Sequence, residues 1–150
     1  MPGWELIGEA ERNAVTHLFD ADPAQALVKN AVVRAFEQAC AAALCVPDAV
    51  AVCNGTAALK TGLTSLGIGP GDEVITQAHT FVATVEAVVD GGATPVMAEI
   101  DDTLTMDPVD VARKLTPRTK ALLPVHMLGA PCDMTAIMNL ATRHRLFVVE

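Results

Sequence analysis

Residues 51–63 read AVCNGTAALKTGL, and this stretch decides the fold because a short apolar run gives way abruptly to a helical pattern. The run at 49–53 is apolar throughout, as expected of a strand that is buried on both faces. The small polar residues Asn-Gly-Thr at 54–56 then interrupt the chain. The helical pattern over 56–67 ends at Gly67, which is typical of a helix C-terminus. The stretch therefore predicts a strand, a tight turn and a helix in direct succession.

The same alternation continues to the end of the chain, with strand and helix patterns replacing each other every 20–25 residues or so. Apolar strands that alternate with helices are typical of a parallel sheet covered on both faces. We therefore predict an α/β fold with a mostly parallel sheet and helices on both faces. The predicted strands lie at 49–53, 73–77, 94–100, 120–127 and 146–150, the predicted helices at 9–19, 31–44, 56–67, 80–91, 107–115 and 133–144, and a loop at 20–30.

The composition excludes several classes of protein. The 150 residues are 51% hydrophobic and 19% charged, which is enough apolar material for a real core. The formal net charge is −8, without a basic patch, so we expect no nucleic-acid partner. Apolar runs are too short for a membrane helix, and no signal-peptide core precedes the first helix. The four cysteines form no CxxC pair, and we expect free, buried thiols in a cytoplasmic protein.

Ligands of open parallel sheets bind beyond the carboxyl ends of the strands, so the loops at that edge carry the candidate site. Gly55 and Thr56 open a helix there, and free N–H groups at a helix N-terminus attract anions such as phosphate. Gly55 would let the backbone approach a ligand closely, and the Thr56 hydroxyl could cap the helix or bind the anion. The alternative is a plain helix cap, since neither GxGxxG nor a P-loop motif is present.

Other residues at the same edge allow two interpretations each. Phe81 could stack on a planar cofactor or belong to the core. His79 could contact a ligand or cap a helix, and His126 at the end of a strand could be catalytic or structural. Asp101 and Asp102 are adjacent and would point in opposite directions at a strand end, so we expect no metal site.

Six stretches taken together resemble one known family. They are NGTAALKTGL, LGIGPGDEVIT, HTFVATVEAV, GGATPVMAEID, LTPRTKALLPVHMLGAPCDM and HRLFVVE. In order and spacing they are similar to the DegT/DnrJ/EryC1/StrS family of aminotransferases. The resemblance implies part of a fold-type I large domain over 36–150, which follows an N-terminal helical segment at 1–35. It also implies the cofactor pyridoxal 5′-phosphate (PLP), a homodimer, and amino transfer from glutamate or glutamine to a keto-sugar, often nucleotide-linked.

The resemblance also implies roles for individual residues. The family's Gly-Thr-Ala turn, which holds the PLP phosphate through backbone N–H groups, falls on Gly55, Thr56 and Ala57. The family's aromatic residue that stacks on the pyridine ring is Phe81 here. His126 matches the histidine of the family's VHxxG strand end, where we expect a supporting role.

One departure from the family pattern leaves the activity open. In the family, an Asp that pairs with the pyridine nitrogen directly follows the Val-Glu of the last stretch, and the Lys that forms the Schiff base comes later. Both would follow Glu150, and none of the four lysines of this chain stands in the family's Lys motif. We therefore expect no catalytic residue within 1–150. The alternatives are a relative without the Lys, acting as a dehydratase or a binding protein, and a non-catalytic fragment.

Overall fold

The computed structural model describes residues 6–20 and 31–150, and the chain forms two compact units, Met1–Ala51 and Val52–Glu150. The first unit contains helices α1 (Glu9–Asp20) and α2 (Ala31–Leu44). Both match the helices predicted at 9–19 and 31–44. The predicted loop at 20–30 lies, apart from Asp20, outside the described residues. The predicted division between residues 35 and 36 falls inside α2, whereas the two units meet between residues 51 and 52.

The second unit is a parallel sheet with helices on both faces, which confirms the predicted fold class. Its strands pair in the order β2-β1-β3-β4, and every pair is parallel. Its elements in chain order are α3 (Gly55–Ser65), β1 (Glu73–Gln77), α4 (Val82–Asp90), β2 (Thr94–Ala98), α5 (Pro108–Lys114), β3 (Thr119–Leu123), a 3₁₀ turn (Met127–Gly129), α6 (Met134–His144) and β4 (Phe147–Val148).

Two hydrophobic cores lie on opposite faces of this sheet, and successive residues of one strand enter different cores. In β1, Val74 packs with Leu63 of α3 and Val88 of α4. The next residue, Ile75, packs with Ile137 of α6 and other side chains of the second core. Because side chains alternate between faces along a strand, a strand covered on both sides buries the side chains of both faces, as β1 does at every position. Its apolar residues fill the two cores, and its buried polar residues need hydrogen-bond partners.

The strand predicted at 49–53 is wrong. Among the described residues, no strand pairs with this segment, and the Ala51 N–H donates to Glu37 Oε1 at 2.9 Å instead. Val50 is 75% exposed and Val52 is 40% exposed, so the run is not buried on either face. An apolar run becomes a strand only where a neighbouring strand satisfies its backbone groups, and β2 and β4 form the edges of the described sheet.

Glu73 is a buried carboxylate at the amino end of β1, where it is 4% exposed. The Thr116 hydroxyl donates a hydrogen bond to it, and Arg118 Nε donates a second at 3.0 Å. The Thr116 hydrogen bond, assisted by the Arg118 charge, holds the pKa of Glu73 below its ordinary value. The pair ties the loop before β3 to the central strand.

Asp110 on α5 is a second buried carboxylate that joins two segments of the chain, and it is 8% exposed. Its Oδ2 accepts hydrogen bonds from Lys114 Nζ and from the Glu99 N–H, both at 2.8 Å. The Lys114 hydrogen bond is the main reason why the pKa of Asp110 lies below its ordinary value. These contacts fix α5 to the segment that follows β2.

No helix within the described ranges, 6–20 and 31–150, is long and apolar enough to cross a membrane. The four cysteines are free thiols. Cys132 is buried and Cys40 is half-buried, but Cys45 and Cys53 are exposed, so the expectation of buried thiols is wrong for these two. Cys45 follows the last residue of α2, and Cys53 lies in the segment that forms no strand.

Candidate functional site

A cavity of about 500 Å³ lies where α3, α4 and the end of β4 come together. β2 lies on one side of β1, and β3 lies on the other. The connections that leave β1 and β3 therefore run in opposite directions along the carboxyl edge of the sheet. Such a switch point is where ligands of open parallel sheets bind. The cavity is lined by Gly55, Thr56, Ala58, Leu59, Phe81, Ala83, Thr84, Val149 and Glu150.

The N-terminus of α3 forms one wall of the cavity and presents backbone donors there. Asn54 caps the helix, with its Oδ1 accepting from the Ala57 N–H at 2.8 Å. No acceptor among the described residues takes the N–H of Gly55 or Thr56, because the first N–H groups of a helix have no partner within it. Gly55 and Thr56 therefore offer two donors at the positive end of the helix dipole. The Ala57 donor is occupied by the cap.

Gly55 is not required by the fold of the chain itself. A Cβ atom added there would meet nothing within 4 Å, and the residue does not have the positive φ that favours glycine. Glycine at this position keeps open the space beside the two free N–H groups. A glycine that the chain's own packing does not need is expected where a ligand approaches the backbone closely.

Phe81 borders the cavity from the N-cap of α4, and its side chain is 71% exposed. The exposed ring is therefore not a core residue. Thr84, one turn into α4, lines the same cavity, and its hydroxyl oxygen accepts a hydrogen bond from the Thr80 hydroxyl at 2.9 Å. The structure thus brings Phe81 to the same cavity as Gly55 and Thr56, as the two predicted interactions with one cofactor require.

The two predicted histidines have different positions. His79 is exposed and does not line the cavity, and its carbonyl oxygen accepts from Gln77 Nε2 at 3.0 Å. His126 does not line the cavity either, but its Nε2 lies 2.7 Å from Oε2 of Glu150, which does. His126 is therefore in contact with a residue of the cavity wall, whereas no described hydrogen bond links His79 to the cavity lining.

A family model, that of the DegT/DnrJ/EryC1/StrS aminotransferase family, matches residues 6–150. The chain belongs to this family. The resemblance read from the six sequence stretches is confirmed.

Curated relatives of this family member include enzymes of sugar metabolism. The spore coat polysaccharide biosynthesis protein SpsC of Bacillus subtilis is 47% identical over 146 residues, which is 97% of this chain and 37% of the relative. The dTDP-3-amino-3,4,6-trideoxy-alpha-D-glucose transaminase of Streptomyces venezuelae is 53% identical over 111 residues, which is 73% of this chain and 29% of the relative. The chain thus spans about a third of these relatives.

Solved structures of aminotransferases share the fold. DesV of S. venezuelae, in complex with a ketimine intermediate, superposes with a TM-score of 0.88 at 44% sequence identity. The match covers 94% of this chain and 38% of the DesV chain. NtdA of Bacillus subtilis, with bound cofactor PMP, gives a TM-score of 0.87 at 34% identity over 95% of this chain and 33% of its own. The parallel sheet is therefore that of the aminotransferase relatives.

Sequence reasoning missed Gln77, which organises the edge of the sheet in this family member. Its side chain is fully buried, and its Oε1 accepts from the Val125 N–H at 3.0 Å while its Nε2 donates to the His79 carbonyl. The Cys132 thiol also points to Oε1, at 3.8 Å. A glutamine at the end of a strand predicted to be buried was the available signal, because buried amides need partners.

Proposed function

We propose that the chain forms the cofactor-phosphate and ring-stacking part of a PLP-dependent aminotransferase. The complete enzyme would transfer an amino group from glutamate or glutamine to a keto-sugar, in nucleotide-linked form. Membership of an aminotransferase family and the sugar transaminases among its relatives support the reaction class. PMP in a relative of the same fold supports the cofactor.

The observation that carries the proposal is the common cavity of Gly55, Thr56 and Phe81. Two free N–H groups at a helix N-terminus suit a phosphate, and an exposed ring on the adjacent wall suits a planar pyridine. A volume of about 500 Å³ lies in the range of small-molecule sites. We propose that Gly55 and Thr56 bind the phosphate directly, and that Ala57 would join them only if the Asn54 cap turned away.

PLP, when bound, supplies an electron sink for chemistry at the amino-bearing carbon. The residues of this chain would position it. The N-terminus of α3 would neutralise part of the phosphate charge, and Phe81 would cover one face of the ring and exclude water from it. Proton transfer needs a lysine, which the family pattern places after Glu150. We accordingly assign binding and orientation, but no proton transfer, to residues 1–150.

Two further proposals concern the assembly and the location of the complete protein. We propose a homodimer as the working form, because family members usually share the active site between two subunits. We also propose a cytoplasmic enzyme, because four free cysteines suit a reducing compartment. Analytical ultracentrifugation and cell fractionation of the complete gene product would test these two points.

The test of the main proposal uses the complete gene product as its source makes it. Reconstitution with PLP should give a visible absorbance band, and addition of glutamate or glutamine should convert it to the pyridoxamine form. A nucleotide-linked keto-sugar should then restore the band. A protein without visible absorbance after reconstitution refutes the proposal. A band that no amino donor changes would favour a relative without the Schiff-base lysine.

A further inference from the structure

The carboxyl ends of β3 and β4 are joined by side chains rather than by a long backbone ladder. Only Ala121 with Phe147 and Leu122 with Val148 pair across these strands, and the Val149 N–H donates to the Leu122 carbonyl. No further backbone pairing between β3 and β4 follows among the described residues. The described contact that joins them again is the one between His126 and Glu150, at 2.7 Å.

A backbone N–H fixes the direction of this contact. The Cys132 N–H donates to His126 Nδ1 at 3.1 Å. An amide N–H can only donate, so Nδ1 must carry a lone pair, and the proton of the neutral ring lies on Nε2. His126 Nε2–H therefore donates to the Glu150 carboxylate. The ring thus accepts a hydrogen bond from the loop at Cys132 and donates one to Glu150 on the cavity wall.

The loop that carries His126 is itself anchored to the centre of the sheet. Gln77, fully buried at the end of β1, accepts from the Val125 N–H next to His126. The Cys132 thiol lies 3.3 Å from the Val125 carbonyl, which holds the two ends of the loop together. Cys132, whose N–H donates to the ring, thus belongs to a buried polar network with Gln77 and Val125, and such networks fix side-chain orientation when every member is satisfied.

We infer that His126 is a positioning residue, which holds the Glu150 carboxylate on the wall of the cavity formed by Gly55, Thr56 and Phe81. The inference rests on the proposed function, since the cavity is taken to hold PLP. Glu150 faces a site that would receive an anionic phosphate, and a loose carboxylate there would repel it. His126 keeps that charge tied to the end of β3, and so fixes the direction of the chain that leaves β4.

Two substitutions separate this role from a structural one. In His126→Gln, the amide nitrogen reaches roughly as far as Nε2, so a donor to Glu150 is kept while the acceptor for the Cys132 N–H is lost. In His126→Asn, the amide oxygen lies near the place of Nδ1, so the acceptor is kept while the reach to Glu150 is lost. The two variants therefore break opposite ends of the same connection.

The measurement is PLP affinity of the complete gene product, by spectroscopic titration. We expect His126→Asn to bind PLP about five- to tenfold more weakly, the loss of one partly exposed charged hydrogen bond. His126→Gln should retain most of the wild-type affinity. The double variant His126→Asn with Glu150→Gln should bind PLP more tightly than His126→Asn alone, because the loose charge is removed. Loss in the Gln variant alone, equal losses in both variants, or no loss in either would overturn the inference.

A second measurement needs no cofactor. Long-range ¹H–¹⁵N spectra of histidine-labelled, PLP-free protein should show His126 with its proton on Nε2, and Glu150→Ala should shift those signals. A neutral ring with its proton on Nδ1 would overturn the inference. If the wild-type protein binds no PLP, the proposed function fails, while these spectra still decide whether His126 holds Glu150.

Discussion

Replacement of Gly55 by alanine should separate the stability of the fold from its affinity for PLP. Gly55 is the first residue of α3, and a Cβ there would meet no atom within 4 Å. Its φ is not in the left-handed region that favours glycine. Alanine restricts the unfolded chain without strain in the folded one, so the free energy of unfolding should rise by about 0.4–1 kcal/mol.

The same methyl group should weaken PLP binding. It would stand beside the free N–H groups of Gly55 and Thr56, where the phosphate is proposed to bind. A hydrogen bond to a charged group contributes about 1.5–3 kcal/mol, so keeping the phosphate from one donor should lower the affinity roughly 10- to 100-fold. The protein would thus become more stable without cofactor and poorer at holding it.

The assay pairs urea unfolding of the cofactor-free protein with a PLP titration. Gly62→Ala is the matched control, because it makes the same change in the same helix at a residue that does not itself line the cavity, and the new Cβ would meet the lining residue Val149 only at an ordinary van der Waals distance of 3.9 Å. It should stabilise by about 0.5–1 kcal/mol. If Gly55→Ala binds PLP as tightly as the control does, the assignment of the phosphate to this helix N-terminus is refuted.

Three further predictions follow from single contacts. Phe81→Leu should change the free energy of unfolding by less than about 0.5 kcal/mol, because the ring is largely exposed, but should weaken PLP binding about two- to tenfold in a titration; unchanged affinity would contradict the stacking role. Gln77→Leu leaves the Val125 N–H without its acceptor and should lower stability by about 1–3 kcal/mol in urea melts, and unchanged stability would contradict the role of the amide. The lowered pKa of Glu73 means that its contribution to stability is present at neutral pH and is lost as pH falls through its folded-state pKa. Glu73→Gln should therefore flatten the fall of the melting temperature at acid pH, and an unchanged slope would contradict this.

Most elements of the fold could be predicted from the sequence because local pattern and tertiary environment agree. The stretch at 73–77 contains the apolar residues Val74 and Ile75, and it forms a strand that is buried at every position. Asp107 and Asp133 cap the two helices that follow them, as their residue types favour. The run at 49–53 is more apolar but forms no strand. A strand depends on a partner elsewhere in the chain, and the segment's own residues carry no information about that partner.

The candidate site was predictable only in part. A glycine at a helix start and an aromatic residue near a strand end are local signals, so Gly55 and Phe81 could be identified. The Ala57 N–H could donate either to the Asn54 side chain or to a ligand phosphate, and the sequence does not decide between these two acceptors. In the structure it donates to Asn54 Oδ1. The contact between His126 and Glu150 joins residues 24 apart, and only the pairing of β3 with β4 brings them together.

The position of β1 at the centre of the sheet also affects how the protein is made. Its first neighbour, β2, comes only a helix later, whereas Thr76 of β1 pairs with Leu123 of β3, 47 residues further along the chain. During synthesis, β1 and β2 can pair while the other edge of β1 is still without a partner. An unpaired strand edge is a template for association with other chains. The order of the strands along the chain therefore leaves one edge of the central strand open to such association until β3 has been made.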